Sequence, residues 1–122
     1  MSNENELRAL NMQAQMISEQ LNRIDSGLME IDYLKKSLDE LNSTKENTEI
    51  LAPVSNGIFA KAKLEKSNKL LVNVGTGIVV EKTFKETKEL LDERIAEMNE
   101  AREKLLNQMQ KIEDHLITLE EK

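Results

Sequence analysis

Apolar residues in the first third of the chain recur at alternating intervals of three and four positions. The series is Leu7, Leu10, Ala14, Ile17, Leu21, Ile24, Leu28 and Ile31. This spacing fills the a and d positions of a heptad repeat and predicts a long helix with an apolar seam for a partner helix. Beyond Ile31 the repeat loosens, because Leu34 and Leu41 each come one residue before a seam position. We expect the helix pairing to skew there.

The last third of the chain carries a second seam of the same kind. Its positions are Leu91, Ile95, Met98, Arg102, Leu105, Met109, Ile112, Leu116 and Leu119. In an antiparallel pair the numbers of facing residues have a constant sum, and a sum of 126 places aliphatic residues opposite each other in seven layers. Three further layers contain a basic residue: Ile24 with Arg102, Lys35 with Leu91, and Leu38 with Lys88. Either arm pairing with another chain is the alternative, but matched lengths and registers favour a hairpin within one molecule.

Between the arms the apolar period changes from seven to two, which predicts strands. We expect two β-hairpins, built from Glu49–Pro53 with Ile58–Leu64 and from Lys69–Val74 with Ile78–Lys82. The second helix is predicted to start at Thr83, whose hydroxyl forms a capping box with Glu86.

The predicted fold class is α+β, mainly α: a long antiparallel two-helix coiled coil with two central β-hairpins. We expect one domain over residues 1–122, with a coiled-coil arm at about 5–46, a β-hairpin region at about 48–82 and a second arm at about 83–121.

Four short strands should form a sheet with exposed edges and one apolar face, and such a sheet is marginally stable alone. Pairing with equivalent strands of other subunits would satisfy the edges. The assembly would bury Ile58, Phe59, Val72, Val74, Ile78 and Val80.

Composition fits an elongated helical protein. The 122 residues are 39% hydrophobic, 33% charged and 2% aromatic, with no cysteine. The formal net charge of -6 disfavours nucleic acid as a partner. The polar, acidic amino end and the absence of a long apolar run argue against a secretory signal and a membrane partner, so we expect a cytoplasmic protein.

The sequence offers no constellation for catalysis, so we expect no enzyme, and we predict no catalytic, cofactor-binding or metal-binding residues. The Gly75-Thr76-Gly77 segment lacks a third glycine and precedes a strand, so it predicts a hairpin turn and not a nucleotide loop. His115 is the sole histidine and lies off the second seam, which indicates a solvated surface residue.

A few apolar residues are not required by either seam, above all Met12, Met16 and Ile117 near the free ends of the two arms. Antiparallel pairing brings them to one tip, and methionine suits contact with irregular apolar partners. Two interpretations have equal weight on the residues alone: the tip grips unfolded chains, or these side chains flank a fraying end or pack on a neighbouring arm.

The central run carries a specific resemblance. The segments Pro53-Val54-Ser55-Asn56-Gly57-Ile58-Phe59-Ala60-Lys61-Ala62 and Leu71-Val72-Asn73-Val74-Gly75-Thr76-Gly77-Ile78-Val79-Val80-Glu81-Lys82 resemble the two-hairpin signature of the alpha class of prefoldin subunits. The order of helix, two hairpins and helix resembles that family over nearly the whole chain. Ser55 stands where glycine is commoner and Asn73 where aspartate is commoner, departures that affect turn details more than class.

The resemblance implies an ATP-independent holdase chaperone, archaeal and cytosolic. It implies a hexamer of two alpha and four beta prefoldin subunits, in which strands form a double β-barrel and coiled coils project from it. The coiled-coil tips would hold non-native client proteins and deliver them to a group II chaperonin. The client contacts carried over are Leu7, Leu10, Met12, Met16, Leu116, Ile117 and Leu119. A structural coiled-coil scaffold with one dedicated protein partner is the alternative function.

Overall fold

The computed structural model describes the backbone of residues 2–121 and the side chains of residues 3–121. The elements in chain order are helix α1 (Ser2–Ser43), strands β1 (Glu49–Ser55), β2 (Ile58–Lys63), β3 (Lys69–Gly75) and β4 (Ile78–Thr83), and helix α2 (Phe84–Glu120). Two compact units can be distinguished. One combines α1 up to Asp32 with α2 from Asp92, and the other spans Tyr33–Leu91.

The first unit is a helix pair closed by the predicted seam. Every seam position of α1 from Leu7 to Ile31, and of α2 from Ile95 to Leu119, is buried or half-buried. The pair is antiparallel, because Gly27 lies against Met98 and Asp25 bonds to Arg102. Both contacts agree with a register close to the predicted sum of 126, so the seam prediction is confirmed.

The predicted skew beyond Ile31 occurs later than expected. Leu34 is exposed, whereas Lys35 is half-buried and Leu38 is buried at a relative exposure of 9%. The lysine stem can cover apolar surface while its ammonium group stays in water, so the heptad continues past Leu34. The change comes at the next turn, where Leu41 is half-buried and Asn42 is exposed.

Helix α1 ends at Ser43, three residues before the predicted limit of the first arm. The hydroxyl oxygens of Ser43 and Thr44 donate to the carbonyl of Glu40 at 2.9 and 2.7 Å, which satisfies a carbonyl at the helix end. Three residues after Thr44, the chain already pairs with the first hairpin, since Asn47 N donates to Leu64 O at 2.8 Å. The backbone is therefore committed to the hairpin before residue 48.

The four strands form two separate two-stranded sheets, β1 with β2 and β3 with β4, within the described residues. The expectation of one sheet is thereby corrected. Each hairpin closes through a two-residue turn, Asn56-Gly57 or Thr76-Gly77, with positive φ at both positions. This is the backbone of a type I′ turn, whose twist matches that of antiparallel strands. Within residues 2–121, no third strand pairs with either hairpin.

The expectation of a single apolar face is also corrected. Leu51 and Phe59 alternate with the half-buried Ile50 and Ala62, so they lie on the opposite face of the first hairpin. Both Leu51 and Phe59 are exposed. Apolar side chains therefore occupy two faces.

Helix α2 begins as predicted. Glu86 N donates to Thr83 Oγ1 and Thr83 N donates to Glu86 Oε1, both at 3.0 Å, which is a reciprocal capping box. Thr83 also pairs with Lys69 as the last residue of β4. One residue thus ends a strand and caps a helix, which fixes the direction in which α2 leaves the hairpin.

Candidate functional site

The seven predicted tip residues divide into a seam group and a surface group. Leu7, Leu10 and Leu116 are half-buried and Leu119 is buried, so these four close the helix pair. Met12, Met16 and Ile117 are exposed by 65%, 59% and 55%. Of the seven residues, only the surface group leaves most of each side chain uncovered by the described residues.

Met16 differs from the other two exposed residues because it lines a groove between the helices. The groove has a volume of about 360 Å³, with Ile17 and Ile112 at its base. A second groove of about 390 Å³ follows, with Ile24 and Leu105 at its base. Met12 and Ile117 line neither groove. The sequence predicted that all three residues lie at one end of the helix pair. It did not predict which of them line a groove.

The six predicted assembly residues are largely unburied in the single chain. Ile58, Phe59, Val74 and Ile78 are exposed. Val72 and Val80 are direct cross-strand partners in the second hairpin and are half-buried. Exposed apolar strands with unpaired edges can be stabilised by pairing with another chain.

The two hairpins are repeats of one another, a feature that the sequence reasoning missed. Each residue of the first hairpin has a counterpart twenty positions later, with the same register and a bulge at the same place. The repeat adds three exposed residues to the predicted assembly surface: Leu51, Leu71 and Val79. A comparison of the segment 49–63 with 69–83 would have found them.

The basic seam residues also have partners that the sequence reasoning did not assign. Arg102 Nε donates to Asp25 Oδ1 at 2.9 Å, and Lys88 Nζ pairs with Asp39. The residue numbers add to 127 in both pairs, so each aspartate lies directly after a residue of the α1 seam. A search of the positions flanking the seam for opposite charge would have identified both pairs.

The Glu86 carboxyl has a lowered pKa. A backbone hydrogen bond from Thr83 is the main cause, followed by the Thr83 side chain, and both lower the pKa of the Glu86 carboxyl below its ordinary value of 4.5. Within residues 2–121 no cluster of His, Cys, Asp or Glu is arranged to hold a metal ion. Neither α1 nor α2, as far as they are described, has a stretch apolar enough to cross a bilayer.

Comparison with known proteins matches this architecture to one family. The family described as prefoldin subunit matches residues 10–122, which is most of the chain. The chain belongs to the prefoldin family. The resemblance predicted from the hairpin segments is therefore confirmed, and so is the assignment of the chain as a prefoldin chaperone subunit.

The alpha class is supported by several archaeal relatives. The chain is 30% identical to the prefoldin subunit alpha of Archaeoglobus fulgidus over 119 residues, covering 92% of this chain and 87% of that protein. It is 28% identical to the prefoldin subunit alpha of Methanobrevibacter smithii over 110 residues, covering 90% and 75%.

A solved prefoldin structure shares the fold. It is the cryo-EM structure of filamentous prefoldin from Methanocaldococcus jannaschii, with a TM-score of 0.87 and 22% identity over 95% of this chain and 96% of that chain. The likeness confirms two long helices joined by two hairpins as a prefoldin fold.

Proposed function

We propose that this chain is the alpha-type subunit of an ATP-independent holdase that binds non-native proteins at the free ends of its helices. The observation that carries the proposal is the exposure of Met12, Met16 and Ile117 near those ends. The seam beneath them is already closed by aliphatic residues, so these side chains are not needed for helix pairing. Membership of the prefoldin family supports the same assignment.

Each contact between such a tip and a client protein is weak. Burial of one client side chain is worth roughly 1.5–3 kcal/mol, so several tips must act on one client. This weakness allows release without nucleotide hydrolysis, and the proposal includes no catalytic step. Delivery to a group II chaperonin in the cytosol completes the proposed cycle.

The hairpins supply the proposed assembly surface. We propose that Ile58, Phe59, Val72, Val74, Ile78 and Val80 contribute to a β-barrel body shared with beta subunits in a hexamer of two alpha and four beta chains. The unpaired strand edges and the exposed side chains on both hairpins support this role.

The proposed holdase activity is tested by light scattering of a refolding client, with the assembled complex and no nucleotide. Wild-type complex should suppress aggregation, and a complex carrying Met12→Ser, Met16→Ser and Ile117→Ser should suppress it less. Native mass spectrometry of the variant controls for assembly, which should be intact. Unchanged suppression by an intact variant complex would reject these residues as client contacts, and no suppression by the wild type would reject the function.

A further inference from the structure

The two flanks of the first helix pair differ in charge. In each heptad the first apolar position is a and the second is d. One flank of the helix pair is formed by the residues directly after d, and we call this flank the acidic edge. Its charged residues are Glu4, Asp25, Asp32, Asp92, Glu113 and Glu120. The other flank is formed by the residues directly before a, and we call this flank the groove edge. Between Gln13 and Gly27 on α1, and between Ala101 and His115 on α2, it carries no carboxylate.

The two grooves described above both open on the groove edge. Gln13, Gln20 and Gln108 line the first groove, and Gln20 and Ala101 line the second, so Gln20 is common to both. Their bases are aliphatic, formed by Ile17 and Ile112 in one and by Ile24 and Leu105 in the other. The two grooves together offer an apolar strip whose walls carry uncharged amides.

The charged residues that line the grooves are all basic. They are Lys111 in the first groove and Arg23 and Lys104 in the second, and no acidic residue lines either. Lys104 lies 3.8 Å from Glu100, but both side chains are more than 70% exposed, so water screens this pair strongly. Neither Arg23 nor Lys111 forms an ion pair with another residue of the described range 2–121. The seam cation Arg102 does not add to this rim, because its guanidinium bonds to Asp25 on the acidic edge.

We infer that the groove edge binds client segments in which apolar side chains are interspersed with Asp or Glu. Apolar side chains would lie on the aliphatic bases and against Met16, while carboxylates would meet Arg23, Lys104 and Lys111. The net charge of -6 belongs to the whole chain, and the acidic edge of the same helix pair would repel acidic segments, so the attraction is local to the groove edge. The inference rests on the proposed holdase function and names the class of client that the groove side prefers.

The test uses the assembled complex and two fluorescent peptides with identical apolar residues. One peptide has glutamates between the apolar residues, and the other has glutamines. By fluorescence anisotropy at low ionic strength, we expect the acidic peptide to bind about tenfold more tightly, since three exposed charge pairs each add a fraction of a kcal/mol. The preference should fall as salt is added, because exposed pairs are screened.

Two variants with the same change in net charge identify the surface. The first is a triple variant with Arg23→Gln, Lys104→Gln and Lys111→Gln. Its preference for the acidic peptide should fall to about twofold or less, since the cationic partners of the peptide are gone. The matched variant Gln15→Glu, Asn22→Asp, Asn99→Asp places three carboxylates at exposed positions away from the grooves and should keep the preference. Equal loss in both variants would mean a general charge effect and would overturn the inference.

A third comparison separates the groove from the rest of the helix surface. Met16→Ser should weaken binding of both peptides, whereas Met29→Ser, at an exposed methionine that lines neither groove, should leave both affinities unchanged. Equal affinity of wild-type complex for the two peptides would overturn the inference while leaving the holdase function standing. Failure of the wild-type complex to bind either peptide or to suppress client aggregation would overturn both.

Discussion

The Cε methyl of Met98 occupies the space that a side chain at Gly27 would need. A Cβ built on Gly27 would lie 2.5 Å from that methyl, closer than van der Waals contact permits. Helix α1 continues through this position without interruption. The glycine therefore provides a hole for a methionine of the facing helix, in the layer where the predicted register places Leu28 opposite Met98.

This contact predicts coupling between residues 27 and 98. Gly27→Ala should gain about 1 kcal/mol from helix propensity, but the clash with Met98 offsets part of that gain. In a Met98→Ala background the clash is absent, so Gly27→Ala should then give the full gain. A double-mutant cycle of urea unfolding should return a coupling of at least about 0.5 kcal/mol. Additive effects would show that Met98 moves aside without loss of stability.

Arg102 lies in the seam and pairs with Asp25. We expect this pair to favour the helix register and to contribute little to the free energy of unfolding. Both side chains are more than 40% exposed, so the pair should contribute less than about 1 kcal/mol. Arg102→Met would place an apolar side chain opposite Ile24 and should raise the free energy of unfolding by about 1 kcal/mol. Urea unfolding measures this change.

The control is Lys104→Met, at an exposed position outside the seam. It should change stability by less than about 0.5 kcal/mol. A loss of more than about 1 kcal/mol in Arg102→Met would show that the ion pair contributes more to the helix pair than the apolar contact that replaces it.

The sequence predicted those parts of the fold that depend on the spacing of apolar residues. A heptad repeat fixes which residues face a partner, so Ile17, Ile112 and Leu119 were placed correctly in the seam. The two hairpin turns were predicted at the right places but too long, because the strands continue to Ser55 and Gly75. Asn56-Gly57 and Thr76-Gly77 have the positive φ values that a two-residue turn requires.

Other features depend on side-chain contacts that a period does not encode. Leu34 is more apolar than Lys35, yet moving it into the seam would require about 100° of helix rotation, and the continuous repeat keeps Lys35 there. The space at Gly27 depends on where the tip of Met98 lies. The distinction between Met16 and Ile117 depends on which flank carries the grooves, which only the packed helix pair reveals.

The capping box at Thr83 predicts a pH dependence. Because hydrogen bonds from Thr83 lower the pKa of Glu86 in the folded state, the folded state favours the carboxylate. Its stabilising effect is therefore complete above the ordinary value of 4.5 and is lost as the pH falls through the lower folded value. Glu86→Gln should lose less stability than the wild type between about pH 6 and about pH 3, measured by urea unfolding at each pH.

Thr83→Ala provides a partial control, because it removes the hydroxyl but keeps the backbone N–H that donates to the Glu86 carboxyl. It should cost about 1 kcal/mol at neutral pH and should keep most of the acid dependence of the wild type. An acid dependence of Glu86→Gln equal to that of the wild type would mean that other carboxyls account for it.

The hairpin repeat predicts that the chain has two equivalent assembly contacts. Leu51 and Leu71 are counterparts in the two hairpins, with exposures of 64% and 74%. If each is buried against another subunit, Leu51→Lys and Leu71→Lys should each weaken assembly by roughly thirtyfold, since a buried leucine is worth about 2 kcal/mol. Native mass spectrometry with the beta-type partner, over a range of concentrations, measures the loss of assembled complex.

The matched control is Met29→Lys, which introduces the same charge at a residue of α1 that is 73% exposed. It should leave assembly unchanged, and thermal unfolding should show that all three isolated chains remain as stable as the wild type, since none of the three side chains is buried in the single chain. If only one hairpin variant lost assembly, the two hairpins would make different contacts despite their shared register. Because the bulge, the turn and the exposed leucine coincide in both hairpins, we expect equal losses.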